Sequence, residues 1–113
     1  MKTITNKITL QELKTIAKKS FGNLVKAVID IKKEIMVIDA ELHADQEALL
    51  LQNGSLQQDL WGINLYPFLK ENDFIEFDSM INLRPNQGNL SRGIDNPKIQ
   101  KRIIKIVNKL VQK

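Results

Sequence analysis

The sequence predicts an α+β domain in the order α-ββ-α-ββ-α, a four-stranded, mostly antiparallel sheet with helices packed on one face. Three observations carry that expectation. Two segments place apolar residues at helical spacing behind good N-cap residues, Thr9 and Asn96. The stretch from residue 24 to 40 is dense in Val and Ile, which suit a pleated surface. Two later segments, 60–67 and 74–84, alternate apolar and polar residues with a period of two, the mark of strands with one buried and one wet face.

The first helix follows from Thr9-Leu10-Gln11-Glu12, a capping box in which Thr9 serves the amide of Glu12 and Glu12 reaches back. Leu10, Leu13, Ile16 and Ala17 form its stripe, and Gly22 ends it. The Val/Ile run then reads as a hairpin, with strands near 24–31 and 34–40 around a polar turn at Asp30–Glu34. His43 to Gln52 reads as a short helix with Asp45 in its first turn and Asn53-Gly54 as its stop. In the third strand Trp61, Ile63 and Leu65 alternate with Gly62, Asn64 and Tyr66. In the fourth, Ile75, Phe77, Ser79, Ile81 and Leu83 alternate with Glu76, Asp78, Met80, Asn82 and Arg84. A loop over residues 85–96 leads to the last helix, where Pro97 occupies the first helical position and Ile99, Ile103, Ile106, Val107 and Leu110 form the stripe. Leu13, Ile16, Val28, Ile29, Val37, Trp61, Ile63, Phe77, Ile81, Ile103 and Ile106 are expected to share one core.

At 113 residues the chain fits a single domain, residues 1–113, able to bury about two-thirds of its unfolded surface. It has no cysteine, which excludes disulfides, thiolate metal sites and a cysteine nucleophile. No apolar run approaches a membrane span, and MKTITNKITLQELK lacks the apolar region of a signal peptide, so the expected compartment is the cytoplasm. The net charge of +4 is segregated: residues 1–29 carry +5, residues 30–83 carry −8 and residues 84–113 carry +7. That pattern predicts a dipolar molecule rather than a uniformly basic one. The last helix sets Lys98, Lys101, Arg102, Lys105, Lys109 and Lys113 opposite its apolar stripe, but no aromatic residues interleave with them and no nucleic-acid-binding motif is present, so weak nucleic-acid binding is the most that is expected.

ELHADQEALLL, WGINLYP and above all FDSMINLRPNQGNLSRGI resemble the signature stretches of a family of small uncharacterised bacterial and archaeal proteins, a domain-of-unknown-function family. The resemblance runs over nearly the whole chain. It implies a self-standing domain of about this length and carries no activity, substrate or cofactor.

Three constellations hold chemistry. The polar alternates of the last two strands, Asn64, Tyr66, Glu76, Asp78, Asn82 and Arg84, would line one wall if those strands pair. The loop Arg84-Pro85-Asn86-Gln87-Gly88-Asn89-Leu90-Ser91-Arg92-Gly93 joins two arginines to amide donors and feeds a helix N-terminus, a composition suited to an anion but without a Walker motif. His43, the sole histidine, stands between Glu41 and Asp45, a spacing that defines no metal site across a strand-to-helix change. A Ser-His-Asp triad has no support, since the chain lacks a GxSxG elbow.

The expectation is therefore a protein that binds an anionic ligand, a nucleotide or phosphometabolite, at the 84–93 loop and the adjacent strand. Its ligand-binding candidates are Arg84, Arg92, Asn82, Gln87, Asn89, Ser91, Tyr66 and Asn64, with Arg84 and Arg92 holding the anion jointly. His43 and Asp78 are the candidates for proton transfer. The alternative is a non-enzymatic protein–protein or weak nucleic-acid interaction module, and a homo-oligomer is compatible with both. No cofactor, metal or membrane partner is expected.

Overall fold

A computed structural model describes residues 1–113. Its elements are β1 (Lys2–Ile4), β2 (Ile8–Thr9), α1 (Leu10–Lys19), β3 (Val25–Asp30), β4 (Ile35–Ile38), α2 (His43–Gln52), β5 (Leu60–Leu65), α3 (Glu71–Phe74), β6 (Ile75–Glu76), α4 (Pro97–Leu110) and β7 (Val111–Gln112). The α+β class and the β3–β4 hairpin are as expected, whereas the short helix α3 interrupts the expected pairing unit of β5 and β6. The sheet, however, has five strands, in the order β1-β4-β3-β5-β6, antiparallel throughout. The additional strand is β1, which pairs with β4 and buries Ile4. A separate parallel pair, β2 with β7, ties the entry to α1 to the exit from α4.

Caps form where the sequence places them. Thr9 Oγ1 accepts from the Glu12 amide at 3.1 Å, although Glu12 returns a contact to the Thr9 hydroxyl at 3.3 Å rather than to its amide. Asn96 Oδ1 accepts from the Lys98 amide at 2.9 Å. The hairpin between β3 and β4 is closed by Asp30, whose Oδ1 accepts from the amides of Lys32 and Lys33, each at 2.9 Å, and whose Oδ2 accepts from Ser55 Oγ at 2.6 Å. Short-range Asx bonding thus replaces the glycine that this turn lacks. Glu34 takes the left-handed conformation instead, at φ +57°.

Helices cover both faces of the sheet, not one. Ala27, Ile29, Met36, Ile38, Trp61, Ile63 and Leu65 pack against Leu13 and Ala17 of α1 and Ile103, Ile106, Val107 and Leu110 of α4. On the other face Val28, Val37 and Leu60 pack against Leu50 of α2. The single expected core is therefore two layers with the sheet between them. Val28, Val37 and the half-buried Ile81 belong to the smaller layer, and Ile16 and Phe77 lie half-buried at the margin of the larger one. The cause is visible in β3, where Ala27, Val28 and Ile29 are all fully buried: a strand apolar on both sides must be covered on both.

The fourth expected strand is also revised. Of residues 74–84 only Ile75 and Glu76 pair as β6, and single 3₁₀ turns follow at Met80–Asn82 and Pro85–Gln87. No helix is long and apolar enough to cross a membrane.

Candidate functional site

Beyond β6, the edge of β5 is paired by side chains instead of backbone. Asn64 and Leu65 pair with Glu76 and Ile75. Two residues back, Asn82 grips Gly62: Oδ1 accepts from its amide and Nδ2 donates to its carbonyl, each at 2.9 Å. Two residues further back, the Arg84 guanidinium donates to the Leu60 carbonyl and also to that of Gln57. Residues 60, 62 and 64 of an edge strand turn their backbone groups the same way, so an amide and a guanidinium spaced by two continue the ladder. This is why the period-two pattern of FDSMINLR persists while its backbone coils: the ladder is completed by alternate side chains.

The same residues fold the following loop. Asn89, buried, donates from Nδ2 to the carbonyls of Asn82 at 2.7 Å and Gly93 at 2.8 Å and accepts from the Asp95 amide at 2.8 Å. Ser91 Oγ donates to Asp95 Oδ1 at 2.6 Å. These contacts hold the Asp95 carboxyl below its usual pKa, the Ser91 hydroxyl contributing most and the Leu90 amide next. Gln87 Nε2 donates to the Gln58 carbonyl at 2.9 Å. Arg84 is 7% exposed and its guanidinium carbon lies 4.2 Å from the centre of the Trp61 ring. Burial lowers its pKa from the usual guanidinium value, against a small opposing pull from Glu47.

Arg92 lies elsewhere. Its Nε donates to Asp78 Oδ1 at 2.8 Å, and Asp95, the partner its sequence position suggests, is engaged with Ser91 and Leu90 instead. Arg92 and Asp78 line a recess of about 200 Å³ with Lys26, Leu42, His43, Ala44, Asn64, Ser79, Met80 and Ile81. Arg84 lines a different, open recess with Leu56, Gln57, Gln58, Asn86 and Gln87. The two arginines are not brought to one site, whereas Arg92, Asn64, His43 and Asp78 are.

Three elements build the Arg92 recess. The N-terminus of α2 opens into it at Leu42, His43 and Ala44, and the N-cap residue, Leu42, makes no side-chain hydrogen bond to the helix. The sheet contributes Lys26 from β3 and its registered partner Asn64 from β5. The segment after β6 supplies Asp78 to Ile81. Asn64 Nδ2 donates to Glu76 Oε1 at 2.8 Å, and Tyr66 Oη donates to the same oxygen at 2.9 Å. Burial and the Glu76 carboxylate raise the Tyr66 pKa above the ordinary phenol value. Asn64 Oδ1 is buried without a partner.

The His43 ring meets the Ile63 carbonyl at 2.7 Å through Nε2. A carbonyl only accepts, so Nε2 carries the proton and Nδ1 is the open acceptor of the neutral ring. Burial pushes the pKa of His43 below the usual histidine value; the Ile63 hydrogen bond opposes this, Lys26 and Arg92 push further down and Asp78 pushes up. At neutral pH the ring that lines the recess is therefore the neutral imidazole. No group of three or more histidine or acidic side chains converges to hold a metal.

Lys26 and the uncapped helix end are the parts that sequence reasoning missed. Signals existed: Lys26 interrupts a Val-rich strand, and Leu42, rather than Ser, Thr, Asp or Asn, stands directly before His43. A larger recess, about 670 Å³, lies between α4 and the 71–77 segment, but its polar residues, Glu71, Asn72, Asn108 and Lys113, are all exposed and none is held in place by burial.

Fold and recess together describe a small two-layered α+β protein with a cationic, partly apolar recess beside an open helix end. The chain belongs to the family described as a protein of unknown function, DUF5674, which matches residues 2–110. Neither the curated proteins nor the solved structures contain a match to the chain.

Proposed function

We propose that the protein binds a small anionic ligand in the recess at the N-terminus of α2. The observation that carries this reading is the placement of Arg92 beside a helix end with no side-chain cap, with Lys26, whose ammonium lies 5.1 Å from the centre of the Phe21 ring, on the adjoining wall. Uncapped amides and the helix dipole favour negative charge, and two cations beside them add to it. Arg92 commits Nε to Asp78 and keeps its two terminal amino groups for a planar or tetrahedral anion. The volume, about 200 Å³, suits a molecule smaller than a nucleotide. Of the candidates named from the sequence, Arg92 and Asn64 belong to this site and Tyr66 braces it through Glu76. Arg84, Asn82, Gln87, Asn89 and Ser91 serve by holding the 84–93 loop in the shape that presents Arg92.

The test is thermal unfolding with inorganic phosphate or acetate at constant ionic strength. The melting temperature should rise with ligand concentration in the wild type, as linkage requires, and stay flat in Arg92→Gln. Absence of any shift in the wild type, or an equal shift in Arg92→Gln, overturns the reading.

A further inference from the structure

We infer that the protein pairs with a second copy of itself across the groove between α4 and the 71–77 segment, about a two-fold axis normal to the sheet. This groove lies on the face opposite α2 and shares no residue with the recess there. β6 is the last strand of the sheet, so no further strand covers its outer side. The Tyr66 amide donates to the Phe74 carbonyl at 2.8 Å, and Asn64 stands opposite Glu76. Residues 74 and 76 therefore turn their backbone groups toward β5, and Ile75 turns its own away. The groove beside this edge holds about 670 Å³. Its middle is apolar, lined by the half-buried Ile75 and Phe77 and by Ile104 of α4, which is 39% exposed. Natural proteins shield such an edge with charge, a bulge or a covering element. Here the charges stand at the ends of the groove instead.

Contacts at its two ends fix how the groove runs. Lys113 Nζ lies 4.6 Å from the centre of the Phe74 ring, which sets the C-terminal end of α4 at the start of β6. Gln100 Nε2 donates to the Ile94 carbonyl at 2.6 Å, and a Cβ at Gly93 would lie 3.4 Å from the Phe77 carbonyl oxygen. The N-terminal half of α4 therefore stands beyond the end of β6. Glu71 and Asp73 occupy one end of the groove, and Lys101, one turn before Ile104 on the same side of α4, lies toward the other. None of the three belongs to an ion pair within the chain. A two-fold axis normal to the sheet keeps both copies of α4 on one side and sets Ile75, Phe77 and Ile104 against their counterparts. It also reverses one groove relative to the other, which brings Glu71 and Asp73 of each copy to Lys101 of the other. The apolar middle leaves water, and charges without a partner in the monomer gain one. A partner acidic or basic along its whole length would meet like charge at one end of the groove.

Sedimentation velocity over about a hundredfold range of micromolar concentrations tests the pairing. The wild type is expected to pass from monomer to dimer across that range. Ile104→Glu, at an exposed position, should keep the far-ultraviolet circular dichroism spectrum and stay monomeric. Glu71→Lys and Lys101→Glu should each weaken dimerisation by at least about tenfold, since a two-fold interface contains every pair twice. The two substitutions together should restore it to within about threefold of the wild type. If Ile104→Glu loses its fold, the charge-reversal series decides alone. A wild type that stays monomeric throughout overturns the inference and leaves the groove to a different protein. A dimer that a folded Ile104→Glu leaves intact overturns it as well, and so does a double variant that dimerises no more tightly than the weaker of the single ones.

Discussion

Gly62 shows how one residue can decide a local fold. A Cβ at that position would meet the Ser79 Cβ at 2.5 Å, because the segment after β6 crosses directly over β5 there. Gly62→Ala should cost about 1–3 kcal/mol in urea unfolding, and Ser79→Gly in the same chain should recover part of that loss. Asn82 makes three hydrogen bonds from a fully buried amide, two to Gly62 and one from Nδ2 to the Arg92 carbonyl at 3.0 Å. Asn82→Ala leaves backbone groups buried and unpaired and should cost about 3 kcal/mol or more, measured the same way. Arg84→Lys should also lower stability, since a single ammonium cannot span the Gln57 and Leu60 carbonyls and stack on Trp61 at once. His43 sets a pH dependence with a definite sign. Its folded pKa lies below the unfolded value, so the unfolded chain binds the extra proton first. Its contribution is complete above about pH 6.5 and is lost as pH falls from there to the lower folded pKa. The urea midpoint of the wild type should fall more steeply over that range than that of His43→Gln; parallel curves would contradict the assignment.

Helix ends differ in how they are closed at the scale of elements. The N-termini of α1 and α4 are closed by Thr9 and Asn96, while that of α2 presents Leu42 in an extended conformation at φ −125°, ψ 132°. That backbone accepts an ordinary cap, so the residue type alone leaves the end open. Leu42→Asp should stabilise the protein without ligand by about 0.5–1 kcal/mol, since the site is exposed and no side chain now caps the helix end. The same substitution should abolish the melting shift produced by phosphate or acetate, because the carboxylate occupies the anion's place. Stabilisation with the ligand response intact would show that the helix end is not the anion site. The sequence made α1, α2 and α4 readable through caps and stripes, and β3, β4 and β5 through β-branched density and alternation. It misled at residues 77–84 because period two is shared by a strand and by side chains that alternately clasp a strand edge. It was silent on β1, β2 and β7, which are two or three residues long and exist only because β4 and each other's backbone lie alongside.

The whole molecule is a sheet with a large apolar layer on one side and a smaller one on the other. Ile103 of α4 and Leu50 of α2 are both fully buried but in different layers. Ile103→Ala and Leu50→Ala should each cost about 2–5 kcal/mol, and the double variant should lose the sum to within about 0.5 kcal/mol, because the sheet separates them. Charge is also organised at this scale. The basic α4 is partly tied to the acidic middle of the chain: Lys109 Nζ meets Glu34 at 2.8 Å, and Arg102 donates twice to the Ile31 carbonyl. The Glu34 carboxyl lies below its usual pKa, chiefly through the Lys109 hydrogen bond and charge. The remaining lysines of α4 should give oligonucleotide binding that is weak and disappears as salt is raised; a complex persisting at physiological salt would mark α4 as a nucleic-acid surface.

Local chemistry let the sequence by itself determine the α+β class, the helix starts at Thr9 and Asn96, the β3–β4 hairpin and the polar character of Asn64, Tyr66, Glu76 and Asp78, since caps, β-branched density and alternation act within a few residues. It also brought Arg92, Asn64, His43 and Asp78 into consideration one by one. Only the tertiary structure decided which of them meet. Residues 26, 43, 64 and 92 come from four separate segments and converge because α2 packs on the second face of the sheet and the 78–92 segment folds back over β5. The fate of the two arginines was decided in the same way. Equivalent in composition and loop context, they differ because the terminal nitrogens of Arg84 fall on the Gln57 and Leu60 carbonyls at the start of β5, where the side chain is buried, while Arg92 is held at the surface by Asp78 with its terminal amino groups to spare.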